Sequence, residues 1–291
     1  VHLVSPKAIL LGGLACKITN KKNIVIAISG LGSLITFKKN VFHKIAQKIY
    51  FFSLKNFIYG KNTKIIFQNY DDKNFIKKKL KLKKNNSFFF IPGSGVILKK
   101  FKQKKYVIKN IVLMVSRILI DKGVKQYFDA AGIIKEKYPN WKFLLIGPVD
   151  YKSHAAINIK EFKKLLQKKS VIWINYKENI DKYIKDASII CLPSFREGMS
   201  KFLIEGVAAS KPIITTDVPG CRELVVKGKT GFLVKPNSSK SLAEGLLKLI
   251  ENKKKLKKFN KNYKSLNINK FDVKEVLNKT MKIYNQFDKL N

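Results

Sequence analysis

Apolar runs of four to seven residues alternate along the chain with longer stretches whose apolar positions recur with a helical period. Short, nearly uninterrupted apolar runs suit strands buried on both faces, and the amphipathic stretches suit the helices that cover those faces. The pattern predicts strands near 24–29, 64–68, 87–91, 111–116, 142–147, 170–174, 188–192, 212–216 and 231–234. It predicts helices near 8–19, 39–58, 72–80, 122–137, 159–168, 179–186, 200–209, 221–226, 238–251 and 272–288. No internal repeat of fixed period is visible. The lysine-heavy segment Lys99–Lys105 (KKFKQKK) lies between two strand signals, so the expected division is 1–105, 106–270 and a last helical segment, 271–291.

The two halves are unequal. From Lys109 to about Lys270 the chain supplies a whole doubly wound parallel-sheet domain, whereas residues 1–105 offer only about three strands. The chain opens on Val1, at what reads as a strand end ahead of the helix pattern Ala8–Ile18, so the first βα units of an incomplete first domain are expected to be missing.

Composition narrows the picture. In 291 residues, 45% hydrophobic and 11% aromatic content supports one or two packed cores and excludes a disordered chain despite the net charge of +41. Cys16, Cys191 and Cys221 form no paired motif, which argues against a disulfide framework or a structural zinc site and fits a reducing compartment. The apolar, uncharged stretch Ile24–Phe37 is 14 residues, short of the roughly 20 needed to cross a bilayer. Residues 1–110 hold 24 lysines against only Asp71 and Asp72, while 111–291 hold 36 basic and 17 acidic residues. The first third is therefore where an anionic partner would be attracted: a lipid surface, a phosphate-bearing substrate or, as the competing reading, nucleic acid.

The most informative segment is Ile189–Val234, IICLPSFREGMSKFLIEGVAASKPIITTDVPGCRELVVKGKTGFLV. A buried strand runs into a Pro-Ser turn, then an exposed Arg-Glu-Gly, then a helix starting near Met199. In open α/β sheets, ligands sit beyond the carboxyl ends of strands and against helix amino termini, where N–H groups and the helix dipole favour anions. Gly198 removes a Cβ that would block close approach of a phosphate or sugar. Glu197 stands at the mouth of the turn and Glu205 two helical turns on, with backbones roughly 12 Å apart, suited to gripping two ends of one extended ligand. Of 60 basic residues only Arg117, Arg196 and Arg222 are arginine, and all three fall in this half, in SRILIDKG, FREGMS and GCRELV. A planar guanidinium makes bidentate anion contacts that lysine cannot reproduce.

EGMSKFLIE, with its two acids, followed by GVAASKPII, VPGCRELV and GKTGFLV, resembles a retaining family-4 glycosyltransferase of the GT-B fold. SRILIDKGV at 116–124 resembles that family's Arg and Lys phosphate clamp, and IPGSGV at 91–96 the segment before its interdomain linker. HLVSPKAILLGGLACK at 2–17, ISGLGSLI at 28–35 and IFQNYDD at 66–72 resemble the bacterial subgroup that extends lipid-linked saccharides. The resemblance implies two Rossmann-like parallel-sheet domains facing a cleft, with the last helix crossing back to the first. It implies transfer of a hexose or N-acetylhexosamine from a nucleotide-diphosphate sugar, UDP being expected, to a polyprenyl-diphosphate-linked saccharide. Glu197 matches the acid facing the donor sugar, Glu205 the acid bonding the ribose, and Arg117 with Lys122 the pair that neutralises the departing diphosphate. Ser116, Gly123, Gly198, Met199 and Ser200 match donor-binding positions, the last three through backbone N–H groups. His2, Lys7, Gly30 and Gly32 fall on the acceptor side. No metal or other cofactor is implied, and the place of action is the cytoplasmic face of the membrane.

Plainer readings compete at each position. Glu197 and Glu205 can be surface acids, and Arg117 and Lys122 a solvated face at a helix entrance. Arg196 and Arg222 can be local clamps. Asp71 and Asp72 suit a helix cap better than a metal site. Gly30 and Gly32 can simply shape a turn. His2 can be an ordinary position near a strand end, His43 and His154 have no evident partners, and the cysteines suit packing. The stretch Lys38–Lys61 sets Phe42, Ile45, Ile49, Phe52 and Phe57 among Lys39, Lys44, Lys48 and Lys55, which fits a core helix that also rests on anionic lipid. A GT-B enzyme with a small soluble acceptor and a non-catalytic nucleic-acid binder are the rival functions. The second is disfavoured because the aromatics lie in apolar runs rather than among the lysines.

Overall fold

The computed structural model describes residues 1–32, 41–55, 60, 62–81, 87–103 and 105–288, with the side chains of 42, 43 and 288 outside that description. Lys39, Phe57, the Phe42 and His43 side chains and residues 33–35 of the glycine-bearing loop therefore lie outside it. Two compact units emerge: Val1–Gly95 with Glu197–Met199 and Val273–Asn291, and Val96–Arg196 with Ser200–Asp272.

In the first unit, β1 (His2–Val4), β2 (Ile24–Ile28), β3 (Thr63–Phe67) and β4 (Phe88–Phe90) form a parallel sheet in simple sequence order. Its helices are α1 (Pro6–Ile18), α2 (Val41–Ser53) and α3 (Tyr70–Lys79). α1 starts where a proline is tolerated, with the Ser5 hydroxyl accepting the Ala8 N–H at 3.4 Å. Strand residues alternate between two cores. Ile26, Ile28, Ile65 and Phe67 pack with Ile9, Leu54 and Ile76 on one face. Val25 and Ile66 pack on the other with Ile91 and with Val276, Ile283 and Phe287 of the last helix, Val273–Asp288.

The second unit is larger. β5 (Ile111–Val115), β6 (Lys142–Ile146), β7 (Ile172–Ile174), β8 (Ile189–Leu192), β9 (Ile213–Thr216) and β10 (Gly231–Val234) form a parallel sheet in the order β10-β9-β8-β5-β6-β7. Around it lie α4 (Val124–Lys137), α5 (Ile159–Gln167), α6 (Ile180–Asp186), α7 (Lys201–Ala208), α8 (Ser239–Ile250) and α9 (Lys253–Asn262); the last helix of the chain, in the first unit, is α10. The central strands β5 and β8 are buried throughout their middles, as a parallel sheet covered on both faces requires. Tyr127 of α4 is buried whole and its hydroxyl donates to the Val112 and Leu144 carbonyls at 2.9 and 3.1 Å, pinning that helix to the sheet.

Three elements depart from the sequence pattern. The break between units falls at Gly95–Val96, ahead of the lysine run, because the turn Leu98–Phe101 buries both its apolar ends and Val96 bridges Asp272. α9 occupies KKKLKKFNKN, where lysines dilute the apolar signal to Leu256 and Phe259, both buried, and Asn252 caps the helix by accepting from Lys255 N–H at 2.8 Å. The helix expected at 221–226 is one 3-10 turn, Arg222–Leu224.

Behind the end of α7, Lys211 is buried completely: its ammonium meets the Lys185 carbonyl at 2.5 Å and lies 4.9 Å from the Tyr106 ring centroid. Burial pulls its pKa down to about 7, against a smaller opposing pull from Asp186.

Candidate functional site

Numbered from its own first strand, the second sheet reads 3-2-1-4-5-6, and the order reverses between β5 and β8. Loops leaving neighbouring strands at such a reversal depart to opposite sides, opening a crevice at the carboxyl ends. Ser116 and Arg117 follow β5; Ile120–Lys122 form a 3-10 turn, and Gly123 opens α4 with φ +73°. A Cβ on Gly123 would lie 2.2 Å from the Pro193 carbonyl oxygen, so only glycine permits this loop to touch the one leaving β8. The Phe195 N–H donates to the Asp121 carbonyl at 2.8 Å, and the two loops are thereby laced together. Thr215 donates from its hydroxyl to the Leu192 carbonyl at 2.6 Å and Thr216 to the Ser194 carbonyl, fixing the β8 loop from the other side.

The charged groups are held from specific directions. Arg117 Nη1 donates to Asp150 Oδ2 at 2.6 Å, with the arginine side chain 57% and the aspartate 25% exposed. Lys122 is half-buried at the end of its turn. Glu205 projects from α7, half-buried; burial raises its pKa, Lys201 one turn earlier opposes that, and Asp181 adds to it. Arg222 is a local clamp, donating from Nε to Asp217 Oδ1 at 2.7 Å and from Nη2 to the Asp217 carbonyl at 2.8 Å. Arg196 and Glu197 are half-buried rather than exposed.

Two expectations about the helix start change. Ser200 is the N-cap of α7, its hydroxyl accepting the Leu203 N–H at 3.3 Å, while its own N–H donates to the Gly220 carbonyl at 3.2 Å. That amide is already spent inside the fold, so Ser200 shapes the helix start instead of presenting an N–H to a phosphate. Gly198 belongs with Met199 and Glu197 to the first unit, where a Cβ on it would lie 1.5 Å from the Ser29 carbonyl oxygen. Backbone packing, not room for a ligand, therefore requires that glycine. Gly30 (φ +134°) obeys the same constraint, since its Cβ would meet Gly198 Cα at 2.8 Å.

Asn69 and Asp72 explain this contact, and the sequence pattern pointed to neither as a functional residue. Both are buried. Asn69 caps α3, accepting the Asp72 N–H at 2.7 Å, while its amide donates to Asp72 Oδ2 at 2.9 Å and to the Gly198 carbonyl at 2.8 Å. Asp72 also accepts the Leu31 N–H at 3.3 Å. Asparagine two residues before a pair of acids was a readable cap signal, but its second hydrogen bond spans 129 positions and leaves no local trace. Of the remaining positions, His2 Nδ1 meets the Tyr284 hydroxyl of α10 at 2.6 Å, and burial and the chain's amino terminus lower its pKa. Lys7 is exposed at the start of α1, and a Cβ on Gly32 would meet nothing within 4 Å. Among the described residues no three His, Cys, Asp or Glu side chains converge in a way that could hold a metal ion.

Two parallel-sheet α/β units with this connectivity define the GT-B fold. HepE from Anabaena, solved with UDP, superposes with a TM-score of 0.80 at 17% identity, over 98% of this chain and 78% of that one. The sucrose-phosphate synthase of Thermosynechococcus elongatus superposes with a TM-score of 0.78 at 18% identity, over 100% and 74%. The family model for glycosyl transferases group 1 matches residues 96–266, more than half of the chain, which therefore belongs to that family. Among curated relatives, the capsular polysaccharide biosynthesis glycosyltransferase CapM of Staphylococcus aureus is 29% identical over 208 residues, 68% of this chain and 54% of that one. The N,N'-diacetylbacillosaminyl-diphospho-undecaprenol alpha-1,3-N-acetylgalactosaminyltransferase of Campylobacter jejuni is 29% identical over 185 residues, 59% and 47%. The chain thus spans about half the length of these two relatives.

Proposed function

We propose that the chain is part of a retaining family-4 glycosyltransferase that moves a hexose or N-acetylhexosamine from a nucleotide-diphosphate sugar, with UDP as the nucleotide, to a polyprenyl-diphosphate-linked saccharide. The observation that carries this reading is the pair of laced loops at the strand-order reversal, where the Phe195 N–H meets the carbonyl of Asp121, next to Lys122. Breaking the sugar–phosphate bond loads negative charge onto the departing diphosphate. A guanidinium, an ammonium and the positive end of a helix dipole stabilise that charge where it develops, without a metal ion. Glu205 takes the ribose hydroxyls and Glu197 the donor sugar's hydroxyls. The leaving diphosphate accepts the acceptor hydroxyl's proton on the same face, so no protein nucleophile is needed and the protein's share is positioning and charge stabilisation. His2, Lys7, Gly30 and Gly32 lie on the acceptor side of this scheme.

The lipid-linked acceptor draws support from the name of the Campylobacter relative and from α2. Val41, Ile45, Ile49 and Phe52 are 69%, 48%, 50% and 59% exposed and recur along one face, while Tyr50, Phe51 and Leu54 are buried, and Lys44 and Lys48 flank the exposed stripe. An apolar stripe among lysines suits the headgroup region of an anionic bilayer, and this surface acts peripherally on the cytoplasmic face of the membrane. No helix among the described residues is long and apolar enough to cross one. A small soluble acceptor is the second reading, favoured by the likeness to a sucrose-phosphate synthase. Nucleotide release with a panel of UDP and GDP sugars, with lipid-linked and soluble acceptors in parallel, tests both. Absence of UDP binding by the chain would overturn the donor assignment.

A further inference from the structure

The loop after β6 is joined to the loop after β5 along its length. Ile118 N–H donates to the Pro148 carbonyl at 2.9 Å and Ile120 N–H to the Ala155 carbonyl at 2.8 Å, and Ile118 bridges Val149 while Leu119 bridges Ala156. Gly147 makes the start of this seam possible: its φ is +151°, and a Cβ there would lie 1.9 Å from the Ser116 carbonyl oxygen. Asp150 rides on this seam and is the more buried member of its pair with Arg117. One Nη of the guanidinium is thus anchored on a backbone-fixed carboxylate, and more than half of the arginine side chain stays exposed to solvent.

We propose that Asp150 is a positioning residue for the anion-binding arginine: it holds the Arg117 guanidinium so that its remaining N–H groups meet diphosphate oxygens. This rests on the donor reading above. An arginine carries five N–H donors in a rigid plane, so tethering one edge sets the direction of the others. Untethered, the long side chain samples many rotamers, and that freedom is lost each time the ligand binds.

UDP affinity of the 291-residue chain, measured by calorimetry, tests the idea. Asp150→Asn is expected to weaken UDP about tenfold, the scale of one hydrogen bond to a charged group, with Asp150→Glu recovering part of the loss. The melting temperature of the unliganded protein is expected to move little, since a partly exposed ion pair stabilises weakly. In an Arg117→Ala background, Asp150→Asn is expected to add nothing, because its partner is gone. An equal loss in both backgrounds would assign Asp150 a merely structural role and overturn the proposal. Unchanged or tighter UDP binding by Asp150→Asn, in a protein that Arg117→Ala does weaken, would overturn it too while leaving the donor reading intact. If Arg117→Ala binds UDP as the parent does, the phosphate-clamp reading itself fails, and this proposal with it.

Discussion

The two units are built from the same parts, yet among the described residues only the larger sheet reverses its strand order. In the first, β1 to β4 follow one another across the sheet, and successive loops leave in the same sense. In the second, the chain returns to the middle and places β8 beside β5, so the loops that leave these two strands meet at the carboxyl ends, where such sheets take their ligands. The difference extends to polar side chains. In the first unit the buried Asn69–Asp72 pair fixes backbone, whereas in the second the charged groups at the reversal stay half-exposed on loops locked by backbone contacts. A rigid frame carrying solvent-facing cations suits anion binding. An apolar stripe among lysines on α2 suits a surface.

That contrast can be broken at defined points. The largest effect is expected from Gly123→Ala, which drives a Cβ against the Pro193 carbonyl in a left-handed conformation: a loss of about 2–4 kcal/mol, read by denaturant unfolding, with UDP binding lost as the loops part. Arg117→Ala should leave stability nearly unchanged and weaken UDP roughly tenfold to a hundredfold by calorimetry. The double change Ile45→Glu and Ile49→Glu should reverse this profile, lowering partition onto anionic vesicles at least about tenfold in flotation while UDP affinity holds.

The smallest effect is a pH signature of Glu205. Its pKa is raised in the folded protein, so its favourable contribution is complete below the unfolded value and lost as pH rises through the folded one. Above that window the ionised form costs stability. Glu205→Gln should therefore match the parent's melting temperature in acid, exceed it at neutral pH, and bind UDP more weakly. A gap independent of pH would contradict the assignment.

Strand and helix positions of the second unit were largely legible, because buried parallel strands write continuous apolar runs. α9 was hidden because eight of its ten residues are lysine or asparagine, and two buried side chains carry its apolar packing. At the candidate site, Arg117, Lys122 and Glu205 were singled out as residue types in a motif. What was not visible was which hydrogen bonds were already taken. Ser200 looked like a donor to a ligand until Gly220 arrived from another loop, and Gly198 looked like open space until Ser29 filled it. Asp150 carries no motif at all; its meaning comes from a partner 33 positions away.

The buried amine at Lys211 bears on how the molecule can be taken apart. Tyr106 roofs it, and Leu98 and Phe101 of the preceding turn are themselves buried in the same unit. A piece of the second unit trimmed to begin after the lysine run would shed Leu98 and Phe101 and leave Tyr106 as its frayed first residue, so the roof over the buried ammonium would lose what holds it in place. Scissors belong at Val96, where the polypeptide changes allegiance, so that the excised fragment carries its own latch.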